Sequence, residues 1–201
     1  MIPAAYAQRY LDRVKRLLDT LDPEAIGALI EALLVARANG ATVWLLGNGG
    51  SAATAQHFAS DLLTSVRLAE RPFRAICLSD NVAALTAIAN DYGYSEVFAR
   101  QLTGRVAPGD LVVAISASGS SENVLAAARV ARAAGAQVAA LTGFDGGQLR
   151  SLAHLHVHVG SAPGEYGPTE DLHMVVKHLV STYLCAALND DADPRTRSVP
   201  G

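Results

Sequence analysis

The feature that most constrains the fold is a series of five short apolar segments separated by stretches with helical periodicity. The segments are TVWLL (42–46), FRAICL (73–78), LVVAI (111–115), QVAALT (137–142) and HLHVHV (154–159). Strands that are apolar on both faces and alternate with helices are typical of a parallel sheet covered on both sides. The sequence therefore predicts an α/β fold with a doubly wound, five-stranded parallel sheet.

Helical patterns flank this region on both sides. Residues 1–40 carry two of them, and Pro23 is suited to the first turn of the second helix. A long last helix is expected from about Pro168 to Leu188, so residues 1–190 form one domain and 191–201 a polar tail. The apolar faces of the pair over 1–40 favour packing against a second copy of the chain. Packing back onto the chain's own sheet is the alternative.

Composition restricts the partners and the compartment. The net charge is -3 and no basic stripe is present, so we expect no nucleic-acid partner. The N-terminal segment carries charges throughout, which argues against a signal peptide or a membrane span. Cys77 and Cys185 lie in an apolar run and a late helix, typical of core thiols. These features favour a cytoplasmic protein.

The turn after the first predicted strand is rich in glycine. Residues 47–51 read Gly-Asn-Gly-Gly-Ser and lead into a helix, so several backbone N–H groups converge there with little side-chain bulk. Such a site suits an anion or a hydroxyl-rich ligand. Gly47, Gly49 and Ala52 also satisfy the dinucleotide fingerprint, with Asp80 as the ribose-binding acid, although Asp80 lies about ten residues too far along the chain. An NAD-dependent enzyme is therefore a third interpretation.

A second strand-to-helix turn carries four serines. The segment AISASGSSENV (114–124) presents Ser116, Ser118, Ser120 and Ser121 around Gly119. Serine hydroxyls and backbone amides at a helix N-terminus form a neutral cradle for a phosphate monoester. A dinucleotide fold does not require this second turn. Two such turns on one sheet edge favour sugar-phosphate binding.

Residues suited to acid–base chemistry occur on two predicted helices. His57 and Asp61 are four residues apart and share a helix face. Glu170 and His178, eight residues apart on the last helix, can converge on one ligand. We expect His173 to point elsewhere, toward a subunit contact. The alternating histidines of the last strand, at 154, 156 and 158, are interpreted as structural.

Five motifs in order carry a family resemblance: GNGGSAATAQHFASDL, LSDN, ANDYGYSEVFARQL, ISASGSSENV and LTGFDGGQL. From about residue 5 to residue 188 the chain resembles the sugar isomerase (SIS) domain family, whose fold is a flavodoxin-like sandwich. Within that family it is most similar to the phosphoheptose isomerases. The same glycine motif also occurs in a non-enzymatic relative that associates with the replication initiator DnaA.

The resemblance implies a function and a site. The function is aldose–ketose isomerisation through an enediol, converting D-sedoheptulose 7-phosphate to D-glycero-D-manno-heptose 7-phosphate in a homodimer or homotetramer. The implied cofactor is zinc, with no nucleotide. Its ligands would be His57, Asp61, Glu170 and His178. Asp61 and His178 would be the proton-transfer pair, and Glu170 is the other catalytic candidate. The implied substrate contacts are Asn48, Gly49, Gly50, Ser51, Asp61, Asn90, Asp91, Ser116, Ala117, Ser118, Ser121 and Glu170.

Three positions depart from the family pattern. Asp61 replaces a glutamate, which leaves Asp61 and Glu170 as alternatives for the base. Glu170 replaces a glutamine and adds a negative charge that favours a divalent cation. Ser65 stands where an arginine is usual, with Arg67 as a substitute. The rival hypothesis is a non-catalytic SIS protein that binds a sugar phosphate or an initiator, which would need the serine loop but not Asp61, Glu170 and His178.

Overall fold

The computed structural model describes residues 2–64 and 72–190. The helices in this part of the chain are α1 Pro3–Leu18, α2 Pro23–Ala38, α3 Gly49–Thr64, α4 Val82–Tyr92, α5 Ala99–Leu102, α6 Glu122–Ala133, α7 Gly147–Leu152 and α8 Tyr166–Asp190, with a 3₁₀ turn at Tyr94–Glu96. The strands are β1 Thr42–Gly47, β2 Arg74–Cys77, β3 Leu111–Ser116, β4 Gln137–Thr142 and β5 Leu155–His158. Ser65, Arg67 and the expected tail over 191–201 lie outside the described residues.

The strands form one parallel sheet in the order β2-β1-β3-β4-β5, which confirms the predicted doubly wound fold. Val43 of β1 lies opposite Leu111 of β3, and Val113 of β3 lies opposite Ala139 of β4. The first strand, β1, is second in the spatial order. The chain then adds β2 on one side of β1 and returns to add β3, β4 and β5 on the other side. Open sheets of this type bind ligands where the strand order reverses. Here that point lies beyond the carboxyl ends of β1 and β3.

Each face of the sheet has its own hydrophobic core, because successive residues of a strand point to opposite faces. Val43 and Leu45 belong to the core under α2, α3 and α8. Trp44 and Leu46 belong to the core under α4, α5, α6 and α7. This two-sided burial explains why the strands read as continuous apolar runs. Within the described residues, no helix combines the length and apolar character needed to cross a membrane.

The second helix packs on the chain's own sheet. It begins at Pro23 as predicted, and the Asp22 carboxylate accepts a hydrogen bond from the Glu24 amide at 2.9 Å, a standard helix cap. Ile26 and Leu33 lie in the core between α2 and the sheet. For α2 the structure therefore shows the alternative that needs no second copy of the chain.

The first helix lies against the start of α8. The Tyr10 hydroxyl donates a hydrogen bond to Asp171 at 2.5 Å, which is the main reason that the pKa of Tyr10 rises to about 12. Arg13 and Glu165 form an ion pair at 2.6 Å. Tyr6 and Leu11 of the same helix remain exposed. The contact between α1 and α8 thus orients the N-terminal end of α8, from which Glu170 projects.

The histidines of this region are internal. His173 has no exposed surface, and neither ring nitrogen makes a hydrogen bond of good geometry, so the expected subunit contact of His173 is wrong. His156 and His158 both contact the Thr142 hydroxyl, at 2.6 and 3.1 Å. This agrees with a structural role for the strand histidines. Burial lowers the pKa of His173 and of His156 to about 4 in each case.

We predict that the protein loses stability as the pH falls from about 6.5 toward 4. An unfolded histidine has a pKa near 6.5. In that interval the unfolded chain binds protons that His173 cannot accept while folded, so the free energy of unfolding falls by up to about 3 kcal/mol for this residue. Urea titrations at several pH values measure the slope. His173→Leu should flatten it, and equal slopes in the two proteins would contradict the assignment to His173.

Candidate functional site

The carboxyl ends of β1 and β3 lead through short turns into α3 and α6, and the two turns border a cavity of about 110 Å³. Both predicted turns therefore meet at one site, as the sequence indicated. Backbone amides at the two helix N-termini favour negative charge there. The cavity is lined by Asn48, Ser51, Ile115, Ser116, Ala117, Ser118, Ser121, Tyr166 and Glu170.

The serines of the second turn differ in their available hydroxyls. Ser116 Oγ accepts a hydrogen bond from the Gly119 amide at 3.1 Å, and Ser118 Oγ accepts one from the Ser120 amide at 3.3 Å. Ser121 begins α6 without a side-chain cap. Its hydroxyl lines the cavity and is the one best placed to donate to a bound anion.

Asn48 is held in place by residues that the sequence analysis did not single out. Its amide exchanges hydrogen bonds with the Asn123 amide at 2.9 and 2.8 Å, and its oxygen also accepts one from the Tyr94 hydroxyl at 2.9 Å. Asn48 separates the small cavity from a larger one of about 330 Å³ that Gln56 and Ser79 help to line. The asparagine pair fixes the wall between the two cavities.

Glu170 lies at the small cavity and against the glycine turn. A methyl group at Gly50 would overlap the Glu170 carboxylate, so the Glu170 side chain would have to move to make room for any larger residue there. Burial, followed by the nearby Asp171 charge, raises the pKa of Glu170. The structure therefore places a carboxylate with weakened acidity beside the neutral donors of the cavity.

A second group of side chains meets further along α3 and α8. His57 Nε2 lies 3.5 Å from Asp61 Oδ1, and the His57 and His178 rings form an edge-to-face pair with centroids 5.0 Å apart. One potential ligand atom from each of the three residues lies within 4.8 Å of the other two. Two imidazoles and a carboxylate with open positions form a donor set that suits zinc. The residues present thus fit the metal, and Glu170, the fourth predicted ligand, lies outside this group.

Lys177 is the residue of this site that the sequence analysis missed. Its side chain is completely buried and its Nζ lies 2.6 Å from Asp61 Oδ2. Burial alone would raise the pKa of Asp61, but the hydrogen bond and the charge of Lys177 outweigh burial and hold that pKa below its usual value. One signal was available: Lys177 falls on the same stripe of α8 as His173, Val180 and Leu184, all of which are buried.

The small cavity lies near the start of the α3–α8 helix pair, and the histidine–aspartate group lies near the middle of both helices. Gly50 contacts Glu170 near the start, and His57 contacts His178 further along. Residue numbers increase in the same direction on both helices, so α3 and α8 run parallel. Seven residues separate the two contacts on α3 and eight on α8, which corresponds to about 10 to 12 Å at 1.5 Å per residue.

Two predicted substrate contacts are not brought to the small cavity. Asn90 and Asp91 lie exposed near the end of α4 and hydrogen-bond to each other at 2.9 Å. The dinucleotide interpretation receives no support from its acidic residue, because Asp80 is exposed beside Asn81, which caps α4 by accepting from the Ala84 amide. The sheet order also differs from the 3-2-1-4-5-6 order of dinucleotide-binding folds.

Comparisons with known proteins agree with this architecture. A model of the SIS domain family matches residues 5–143. The phosphoheptose isomerase of Mycobacterium tuberculosis is 44% identical over 165 residues, which cover 82% of this chain and 83% of the relative. The probable phosphoheptose isomerase of Thermoplasma acidophilum is 36% identical over 184 residues, covering 92% and 98%. The structure of a phosphoheptose isomerase from Francisella tularensis superimposes with a TM-score of 0.82 at 31% identity, covering 91% and 96%.

Three independent properties therefore coincide in one chain. The strand order is that of a flavodoxin-like sheet. Two strand-to-helix turns border a cavity lined by serines and Asn48, on the same helix pair as a histidine–aspartate group. The similarity to the curated relatives extends over most of both sequences. The chain belongs to the SIS domain family and, within it, to the phosphoheptose isomerases.

Proposed function

We propose that the protein converts D-sedoheptulose 7-phosphate to D-glycero-D-manno-heptose 7-phosphate through an enediol. The observation that carries the proposal is the distance between the anion-binding cavity and the group of His57, Asp61 and His178. An extended chain advances about 3.8 Å over three bonds, so the eight bonds from C1 to phosphorus of a heptose 7-phosphate span about 10 Å. That length matches the separation along α3 and α8.

The phosphate end would be held by neutral donors. Ser121, Ser118 and the amides of the two turns would bind the phosphate oxygens, with the dipoles of α3 and α6 supplying positive potential. Asn48 and Glu170 border the path from this cavity and are suited to the hydroxyls of the sugar chain. With the phosphate placed there, C1 and C2 of a seven-carbon sugar reach the histidine–aspartate group. A three-carbon sugar phosphate would be too short to do so.

The proton transfers would then involve Asp61 and His178. Asp61 removes the proton from C1 while His178 donates one to the carbonyl oxygen at C2, which gives the enediol. Asp61 returns a proton to C2, and His178 accepts the proton from the C1 hydroxyl. Zinc bound at His57, Asp61 and His178 would supply a Lewis acid for the sugar oxygens. Glu170 lies near the start of the helix pair, so we assign it to substrate binding rather than to the carbon proton.

An enediol needs protection from water, and the site of one chain is open. His57 and His178 are exposed. Beside His178 lies an apolar groove of α8 to which Val175, Leu179 and Tyr183 contribute. We infer that a second copy of the chain covers this groove in a homodimer or homotetramer. A cytoplasmic location completes the proposal, supported by the free, buried Cys77.

Replacing the unused serine hydroxyl should weaken phosphate binding. We predict that Ser121→Ala raises the dissociation constant of sedoheptulose 7-phosphate by about 5- to 30-fold, equivalent to about 1 to 2 kcal/mol for a hydrogen bond to a charged group. Ser120→Ala is the matched control, because Ser120 donates to the Ser118 carbonyl within the loop and does not line the cavity. Calorimetry with both proteins distinguishes them, and equal affinities would remove Ser121 from the phosphate site.

The proton-transfer assignment is tested by isotope exchange. His178→Gln should lower kcat by about 100- to 10,000-fold, the range for a positioned acid–base group. Asp61→Asn should abolish exchange of the C1 proton in deuterated water, whereas Glu170→Gln should raise KM and retain exchange. Exchange at the parent rate in His178→Gln and Asp61→Asn would remove both residues from the proton transfers, and absence of exchange in the parent protein would support a non-catalytic binding protein.

The metal assignment has a readout that does not require turnover. Protein purified without chelator should contain zinc, and His57→Ala should lose most of it because one of three ligands is absent. His154→Ala is the control, since His154 lies at β5 and outside the group of ligand atoms. Elemental analysis measures the content of each protein. Equal zinc in the parent and His57→Ala proteins would mean that His57 is not a ligand.

A further inference from the structure

One buried cation is not accounted for by the roles proposed above. The chain has two lysines, Lys15 and Lys177, among 16 basic residues. The Lys15 side chain is 71% exposed, whereas that of Lys177 is 0% exposed. Lysine is almost never fully buried unless it is paired, because its ammonium group loses its hydration. The partner of this ammonium group is therefore central to its role.

The partner of Lys177 is Asp61. The ammonium nitrogen forms an ion pair with Asp61 Oδ2 at 2.6 Å and makes no hydrogen bond of good geometry to any described residue. The other oxygen of the same carboxylate, Oδ1, lies 3.5 Å from His57 Nε2. The two oxygens of Asp61 thus have different surroundings: one faces the interior of the protein, and the other faces the imidazoles.

We propose that Lys177 is a positioning residue, whose ammonium group holds one oxygen of Asp61 so that the other faces the gap between His57 and His178. The kinetic part of this inference rests on the proposed isomerase function. An aspartate near the end of a helix can rotate toward solvent, and a strong ion pair in a water-poor environment opposes that rotation. The gap is where a metal ion or a substrate oxygen would bind, so the orientation of Asp61 controls both.

Lysine is suited to this position for two reasons. Its ammonium group is a compact charge. The planar guanidinium of arginine needs more space and a partner that can accept two hydrogen bonds. It also approaches the carboxylate from the side opposite His57, so it leaves Oδ1 available. Partners that orient a ligand without touching the bound group commonly change metal affinity or activity by about 10- to 100-fold when they are replaced.

The test replaces the ammonium group while keeping the length of the side chain. We expect Lys177→Met to lower kcat by about 10- to 100-fold with little change in KM, because the phosphate end of the site is intact. Zinc affinity, measured with a competing chelator, should fall by a similar factor. Lys15→Met is the matched control and should change neither quantity. Unchanged kcat and zinc affinity in Lys177→Met would overturn the proposal.

A double-mutant cycle separates positioning from a general structural role. In the Asp61→Asn background, adding Lys177→Met should cause no further loss of zinc affinity, because Lys177 acts through Asp61. Equal losses in both backgrounds would show that Lys177 only supports the fold and would overturn the proposal. Lys177→Gln, which can still donate one hydrogen bond, should be intermediate and serves if the methionine variant does not fold.

The zinc measurements also distinguish this inference from the proposed function. A parent protein that binds zinc but isomerises no sugar phosphate would refute the function. In that case the role of Lys177 would still be supported if Lys177→Met caused no further loss of zinc affinity in the Asp61→Asn background. A parent protein that isomerises the sugar but shows additive losses would retain the function and refute the positioning role. A parent protein that neither binds zinc nor exchanges substrate protons would overturn both.

Discussion

The parallel packing of α3 against α8 is the contact on which the whole site depends. Near the start of the pair the absence of a side chain at Gly50 lets the Glu170 carboxylate approach the glycine turn. Further along, the Asp61–Lys177 ion pair and the His57–His178 ring contact join the same two helices. Because both helices start near the carboxyl edge of the sheet, their contact extends the site away from that edge. A single helix pair thus sets the distance between the small cavity and the group of His57, Asp61 and His178.

The distribution of charge along this pair is unusual for a phosphate-binding protein. Among the residues that the structure describes, 2–64 and 72–190, none that lines the small cavity is a lysine or an arginine, and one of them is Glu170. Positive potential there comes from the amides and dipoles of α3 and α6. The basic side chain of the site is instead buried further along the pair, against Asp61. The described lining of the small cavity is thus neutral apart from Glu170, while the buried ammonium group of Lys177 lies against Asp61.

The exposed and buried histidines serve different purposes. His57 and His178 stand at the surface of one chain, where a second copy or a substrate can cover them. His173 lies five residues before His178 on α8 but is fully buried, and burial lowers its pKa to about 4. His156 and His158 share contacts with the Thr142 hydroxyl. Burial therefore distinguishes the exposed pair His57 and His178 from the internal His173.

The sequence by itself determined the strands, the two turns and the spacing of His57 and Asp61. These are local properties: apolar runs form buried strands, glycine permits a tight turn, and residues four apart share a helix face. The limits of β2 and β5 were less well predicted, because edge strands pair on one side only.

Tertiary packing decided the rest. The sequence does not show that α2 covers its own sheet, that Glu170 lies beside Gly50 or that His173 is internal. Above all, the sequence alone predicts that Lys177, next to His178, is a solvent-exposed charge. Only the packing of α8 against α3, which brings Asp61 within 2.6 Å, makes its burial possible.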